Sequence, residues 1–318
     1  MPSSTSAPVL DSEAFRERLL AAARPGSEKI LAFYDSRAGA VCRDPSLLLL
    51  PLDDHMCHRG DGLFESVHYR DRKIFGLGAH IGRLMSGAES VGIKPPKTRA
   101  EIEGLAKAVA AAGGKPRGDL RIFLSRGPGG FGVSPDECPE ASLYVVALDA
   151  RLPDPALYEK GLSAFASAIP PKQEYMAQIK NTNYMPNVLM AMEAREKGMD
   201  VAISFDEDGN MGEAAIANVA IIDEEGRLRS PEIKRILPGT TLLAALNIAG
   251  EKMPVAQGPI HISEVERARE ALLLTSAPLC VGITSFNGKP IGDGKPGPAA
   301  LWLKDALLAY LLERGVKF

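Results

Sequence analysis

The chain has 318 residues, 45% hydrophobic and 24% charged, enough to bury a substantial core and to form roughly two domains. Lys plus Arg number 37 against 40 Asp plus Glu, a net charge of -3 with no long basic run, which argues against nucleic acid and for small molecules as partners. No apolar run reaches the roughly 20 residues that span a bilayer, so no membrane span is expected.

The four cysteines (Cys42, Cys57, Cys138 and Cys280) form no C-x-x-C pair, which suits reduced thiols in a cytoplasm. The N-terminus, MPSSTSAPVLDSEAF, lacks a charged leader followed by an apolar core, and residues 1–27 read as a loose arm leading into a first helix. Leu63–Tyr69 and Lys73–Leu77 are apolar runs around Arg70-Asp71-Arg72, which predicts a hairpin. Ile81, Leu84, Met85, Ala88 and Val91 then recur at helical spacing. Thr98-Arg99-Ala100-Glu101 is a capping box, opening a helix that ends at Gly113-Gly114. Strands are expected at Leu120–Ser125 and Ser142–Leu148, joined by the glycine-rich run from Arg126 to Gly132. These elements make a small α+β domain over 28–150.

Two close prolines in Arg151-Leu152-Pro153-Asp154-Pro155 mark a linker, 151–156, before a large domain, 157–318. The latter offers a strand at Leu162–Ile169, a helix from Pro186 to Lys197 closed by Gly198, and strands at Val201–Phe205, Ala215–Asp223 and Arg227–Ser230. A helix after Gly239 and a short acidic helix at Ser263–Glu270 follow. Strands at Ala271–Thr275 and Val281–Phe286 precede a last helix, Ala299–Arg314. No internal repeat is evident.

Asp53-Asp54-His55-Met56-Cys57-His58 groups the residue types of a metal site, but successive side chains of an extended segment point to opposite sides and no second Cys/His cluster completes a tetrahedral set. No metal is therefore expected. G-x-S-x-G, P-loop and helix-opening G-x-G-x-x-G patterns are missing. What remains is one lysine in unusual company, Ala177-Gln178-Ile179-Lys180-Asn181-Thr182-Asn183-Tyr184, before an apolar run. Lys180 is either a solvated charge at a helix start or a reactive amine in a pocket. Glu213 precedes the apolar stretch Ala214 to Ala220, so Glu213 and Asn218 are expected at the ends of an interior strand, where an ionised carboxylate needs a partner. The alternative is a turn acid after Asp208-Gly209-Asn210.

His80-Ile81-Gly82-Arg83-Leu84, Lys180-Asn181-Thr182-Asn183-Tyr184, Glu213 through Asn218 and Pro238-Gly239-Thr240-Thr241 follow one another in an order that resembles the class IV, or fold-type IV, pyridoxal-phosphate aminotransferases. That family includes branched-chain aminotransferases, D-amino acid transaminases and aminodeoxychorismate lyases. No single motif is decisive; order and spacing together are specific, over about Asp53 to Asn287. The resemblance implies a two-domain α+β enzyme, with a small N-terminal domain and a larger C-terminal one built on a mixed sheet or barrel-like core. It also implies pyridoxal 5'-phosphate as cofactor and a homodimer. Lys180 would join the cofactor as a Schiff base and then move the substrate's α-proton, which requires a lowered pKa, because an ordinary lysine near 10.4 is almost fully charged. Glu213 would lie against the pyridine nitrogen, Tyr184 would meet the ring hydroxyl, and Asn218 would support them. Arg83, Thr240, Thr241 and Ser276 would hold the phosphate. Outside the resemblance, Tyr184 could be a core aromatic and Arg83 a solvated helix residue. The family often carries Gly-Ile-Thr-Arg where this chain has Gly239-Thr240-Thr241-Leu242, so that arginine's role is vacant or moved.

Transamination needs a trap for the α-carboxylate. Arg59 and Arg121 are candidates, with surface ion pairing as the alternative; Phe64 and His68 share a strand face and could line the side-chain pocket, and the Ala277 N–H would face the carboxylate. Asp53 to Glu65 is similar to plant-type D-amino acid transaminases, whereas the Arg-x-His pair of the bacillary enzymes is absent. The expected function is amino transfer between an amino acid, of D configuration on this likeness, and a 2-oxo acid. A branched-chain L-aminotransferase, an aminodeoxychorismate lyase and a catalytically silent cofactor-binding protein are the alternatives.

Overall fold

The computed structural model describes residues 7–150 and 152–318. Part of the expected arm and Arg151 of the expected linker lie outside the described residues. Six strands lie in the first half: β1 Ile30–Asp35, β2 Ala40–Cys42, β3 Gly62–Arg70, β4 Lys73–Ile74, β5 Gly118–Ser125 and β6 Ser142–Leu148. Nine follow: β7 Leu162–Ala166, β8 Val201–Phe205, β9 Met211–Ala214, β10 Asn218–Ile222, β11 Leu228–Ser230, β12 Val255–Gln257, β13 Glu270–Thr275, β14 Leu279–Phe286 and β15 Lys289–Pro290. β16, Val316–Lys317, returns to pair with β4. The helices are α1 Ser12–Ala21, α2 His55–Arg59, α3 Leu77–Ser90, α4 Arg99–Gly113, α5 Ala156–Lys160, α6 Glu174–Ala177, α7 Met185–Lys197, α8 Thr240–Ala249, α9 Ile262–Arg267 and α10 Pro298–Arg314.

The first sheet is antiparallel, in the order β16-β4-β3-β5-β6-β1-β2. Its tight β3–β4 turn uses Asp71 and Arg72 at φ 53° and 56°, the left-handed conformation that matches the twist of a two-residue hairpin. The Thr98–Glu101 capping box forms as expected, and α4 stops where Gly114 turns left-handed. α3 and α4 cover one face of this sheet through Ile81, Leu84, Ile102 and Val109, packed on Leu63, Val67, Leu120 and Ile122. The second sheet is mixed, in the order β12-β11-β10-β13-β14-β7-β8-β9, with β15 beside β14. β9 and β10 stand near opposite ends of that order, yet a turn over 215–217 closed by the Ala214 N–H to Ala217 carbonyl bond (2.9 Å) joins them, so the sheet has to curl on itself. α8 and α10 seal one face, with Leu242, Ala245, Leu303 and Leu307 against Ala220, Leu272 and Leu274.

Several sequence expectations need correction. β1 and β2 were not foreseen. Asp53–His58 is not extended: Asp54 caps a one-turn helix, its carboxylate accepting the Met56 N–H (2.9 Å) and the Ser125 hydroxyl. Among the described residues no group of three or more His, Cys, Asp or Glu is placed to hold a metal ion. The strand expected at Ala215–Asp223 begins only at Asn218, as β10, after a turn over 215–217, and Glu213 stands on a separate strand, β9, so Glu213 and Asn218 are not two ends of one strand. Glu270 begins β13 rather than ending α9.

The segment before α7 connects the sheets. The Lys180 carbonyl accepts the Phe64 N–H (3.0 Å) and the Thr182 N–H donates to the Gly62 carbonyl (2.8 Å), so this stretch runs beside β3 like a short extra strand. The position of Lys180 is therefore set by backbone pairing. Pro186 then opens α7 and Gly198, at φ 62°, ends it.

Candidate active site

A cavity of about 510 Å³ lies between the sheets, within the usual range for small-molecule sites. Its walls come from β3, β5, the Lys180 segment, the β9–β10 turn, the start of α8 and the β13–β14 turn. Lys180, Tyr184, Glu213, Asn218, Thr240, Thr241, Arg83, Ser276, Ala277, Phe64, His68 and Arg121 all border it. Arg59 does not: α2 turns its guanidinium outward onto the glycine-rich loop, where it donates to the Gly132 carbonyl (2.9 Å) and the Phe131 carbonyl (2.5 Å). A neighbouring cavity of about 560 Å³ shares Arg83, His68, Thr240, Thr241 and Ser276, so these residues form a partition between the two.

Lys180 Nζ lies 3.2 Å from the Tyr184 hydroxyl and 4.5 Å from the centre of the Phe64 ring. Burial, and then the Arg83 charge, pull its pKa down to about 8. Burial, then Glu213, push the Tyr184 phenol up to about 12, so it is protonated at neutral pH. Glu213 stands on β9, and the tight turn brings Asn218 at the head of β10 beside it. Its Oε2 accepts the Leu237 N–H (3.1 Å) and the Asn218 amide (3.2 Å), which leaves Oε1 without a partner among the described residues. Burial raises the Glu213 pKa against the opposing Leu237 bond and the charges of Lys172, Lys180 and Arg83. Asn218 also presses on the Gly239 backbone, so closely that a side chain at Gly239 would collide with its amide oxygen. A part-buried amine and a part-buried carboxylate thus face one cavity, and among the described residues neither forms an ion pair there.

At the other end, Gly239 caps α8 without a side-chain bond, so the first N–H groups of the helix are free for an anion. Leu242, where the family arginine was missed, is buried in the core under α8. Arg83 borders the cavity as expected by position, with protein partners that the sequence did not supply. Its Nε and one terminal nitrogen form a fork on Glu65 (2.7 and 2.6 Å), and the other terminal nitrogen donates to the Pro238 carbonyl (2.9 Å). Glu65 is fully buried and also binds His80 Nδ1 (2.7 Å). Burial opposes its ionisation, but the Arg83 and His80 hydrogen bonds prevail and hold it at about 2. Burial lowers the His80 pKa against the Glu65 bond. A neutral His80 donates from Nδ1 to Glu65, so Nε2 accepts the Thr240 hydroxyl proton (3.1 Å). The Thr240 hydroxyl is then already engaged, and Thr241, Ser276 and the backbone are the free donors.

Glu65, His80, Lys172 and Asp119 gained no role from sequence. Glu65 had a signal: with Leu63, Val67 and Tyr69 it occupies the apolar register of β3, where a lone carboxylate requires a cation. Lys172 had none. It sits 4.7 Å over the Tyr184 ring from a loop whose course depends on the tertiary fold.

The model of the family described as amino-transferase class IV matches residues 62–286. A chloroplastic D-amino-acid transaminase of Arabidopsis thaliana is 33% identical over 312 residues, 96% of this chain and 82% of that one. A putative branched-chain-amino-acid aminotransferase of Methanocaldococcus jannaschii is 26% identical, covering 83% of this chain and 92% of the relative. Among solved structures, a T.th. branched-chain amino acid aminotransferase with pyridoxamine 5'-phosphate superposes at a TM-score of 0.83, with 23% identity over 89% of this chain and 94% of its own. The chain is a member of the class IV aminotransferase family.

Proposed function

We propose that the protein transfers an amino group from a D-amino acid to a 2-oxo acid with pyridoxal 5'-phosphate, through Lys180. When bound, the cofactor supplies an aldehyde that exchanges amines and a ring that takes up the electrons left when the substrate's α C–H bond breaks. The observation that carries this is Lys180 itself. At a pKa of about 8, roughly one amine in ten is neutral at pH 7, against fewer than about one in a thousand for an ordinary lysine. The neutral amine can both bond to an aldehyde and accept the α-proton, then return it.

Glu213, with Oε1 free and its carboxylate underpaired, fits a protonated ring nitrogen. The Tyr184 phenol fits the ring hydroxyl. The α8 N-terminus, Thr241 and Ser276 fit the phosphate, with Thr240 contributing its backbone and Arg83 contributing charge while its fork stays on Glu65. Phe64, His68, Arg121 and Ala277 are left for the substrate, Arg121 as the carboxylate's cation. The D configuration rests on the relative that is 33% identical, a chloroplastic D-amino-acid transaminase. Met185, Val188, Leu189 and Met192 make an exposed apolar stripe at helical spacing along α7, which supports a homodimer with α7 at the contact. No helix among the described residues is long and apolar enough to cross a membrane, and four free cysteines suit a cytoplasmic location.

The test is amino transfer from D-alanine and from L-leucine to 2-oxoglutarate, and from D-glutamate to pyruvate, with chiral analysis of the products. D-Glutamate from D-alanine is expected. No transfer from either D-alanine or D-glutamate overturns the proposal, transfer from L-leucine alone favours the branched-chain reading, and 4-aminobenzoate with pyruvate from aminodeoxychorismate favours a lyase.

A further inference from the structure

The polar wall of the cavity is made by alternate residues of β3 and β5. Antiparallel register sets Phe64 opposite Phe123, Ser66 opposite Arg121 and His68 opposite Asp119. The Phe64 ring lies under Lys180, so chemistry along this face grades from aromatic beside the amine to charged away from it. At the charged end Asp119 Oδ1 lies 2.9 Å from His68 Nδ1, and its Oδ2 lies 3.5 Å from an Arg121 terminal nitrogen. All three side chains border the cavity. An acid at that place is unexpected in a pocket that takes carboxylic acids, since it repels them. Its two contacts give it a use. It orients the His68 ring, and it offsets much of the Arg121 charge, so the wall carries too little positive charge to hold two carboxylates.

Given the transaminase proposal above, on which this rests, we infer that Asp119 is a specificity-determining residue that biases the wall toward substrates with a single carboxylate. Both kinds of 2-oxo acid react, but a monocarboxylic acid such as pyruvate is favoured in kcat/KM over a dicarboxylic acid such as 2-oxoglutarate, whose second carboxylate meets the Asp119 charge. The overall reaction is unchanged: the donor leaves as its 2-oxo acid, and the acceptor gains the amino group and a hydrogen at its α-carbon.

Asp119→Asn isolates the charge, because the Asn oxygen can still accept the His68 Nδ1–H. Removing one negative charge at about 10 Å or less from a bound carboxylate, at the edge of solvent, is expected to raise the ratio of kcat/KM for 2-oxoglutarate to that for pyruvate about tenfold. A residue that merely held the strands together would lower both values alike. Calorimetry on the holoenzyme with glutarate and butyrate, which do not react, provides a readout independent of turnover. The variant should improve glutarate relative to butyrate by a similar factor. An unchanged or falling dicarboxylate preference in both measurements overturns the inference and leaves the transaminase proposal standing. Absent amino transfer with an intact glutarate effect overturns the transaminase proposal instead.

Discussion

Glu65 connects the stability of this fold to its site, and Glu65→Gln measures that connection. The carboxyl is 0% exposed, bonds Arg83 twice and His80 once, and titrates at about 2 instead of its ordinary 4.5. At 1.36 kcal/mol per pKa unit, that depression corresponds to about 3 kcal/mol of folding stability, in line with the ~3–5 kcal/mol for breaking a buried ion pair from one side. Because the folded pKa is depressed, the contribution is complete above about 4.5 and disappears as pH falls through about 2. Urea unfolding of wild type and variant at pH 7 and pH 3 follows both parts. The variant should be about 3 kcal/mol less stable at pH 7, with a clearly smaller gap at pH 3. A gap below about 1 kcal/mol at pH 7, the scale of an exposed ion pair, or an equal gap at both pH values, would refute the placement of Glu65 as the buried anion under Arg83.

Lys172→Met removes a cation that lies over the same Tyr184 ring as Lys180, at 4.7 and 5.7 Å from its centre. For a unit charge about 10 Å away at an effective dielectric near 20, the pH midpoint for cofactor capture by the apoprotein should rise by about one pH unit; an unmoved midpoint contradicts it. Leu189→Glu places a charge in the exposed stripe of α7 and should shift sedimentation toward the monomer. A wild-type monomer at working concentration rejects the dimer. Tyr184→Phe removes the hydroxyl beside Lys180 and should lower kcat at least about tenfold with the fold intact by circular dichroism; full activity excludes Tyr184 from the site.

The helices of this chain were legible where local chemistry decides them. Thr98 with Glu101, Gly114 after α4 and Pro186 with Gly198 around α7 are end signals that act within a few residues. β9 was missed, and Glu213 was joined to the strand of Asn218, because Glu213 to Ala220 is short and apolar and periodicity cannot register the turn inside it. That turn is also what places Asn218 against Glu213. The candidate residues came from an ordered set of motifs, and the cavity gathers all of them except Arg59. Arg83 shows the limit of such transfer: its position was foreseen but its partner was not, because Glu65 sits 18 residues earlier on another element. Asp119 and Lys172 reach the cavity only through strand register and a loop crossing, which no short stretch of sequence encodes.

Lys180 as the amine that bonds the cofactor is the point on which the proposed activity stands or falls. Incubating the protein with pyridoxal 5'-phosphate, reducing with borohydride and mapping the peptides by mass spectrometry tests it directly. A single phosphopyridoxyl group on Lys180, lost in Lys180→Ala, is the expected result. An unmodified Lys180 peptide at saturating cofactor, or a label on Lys172 in its place, would contradict it.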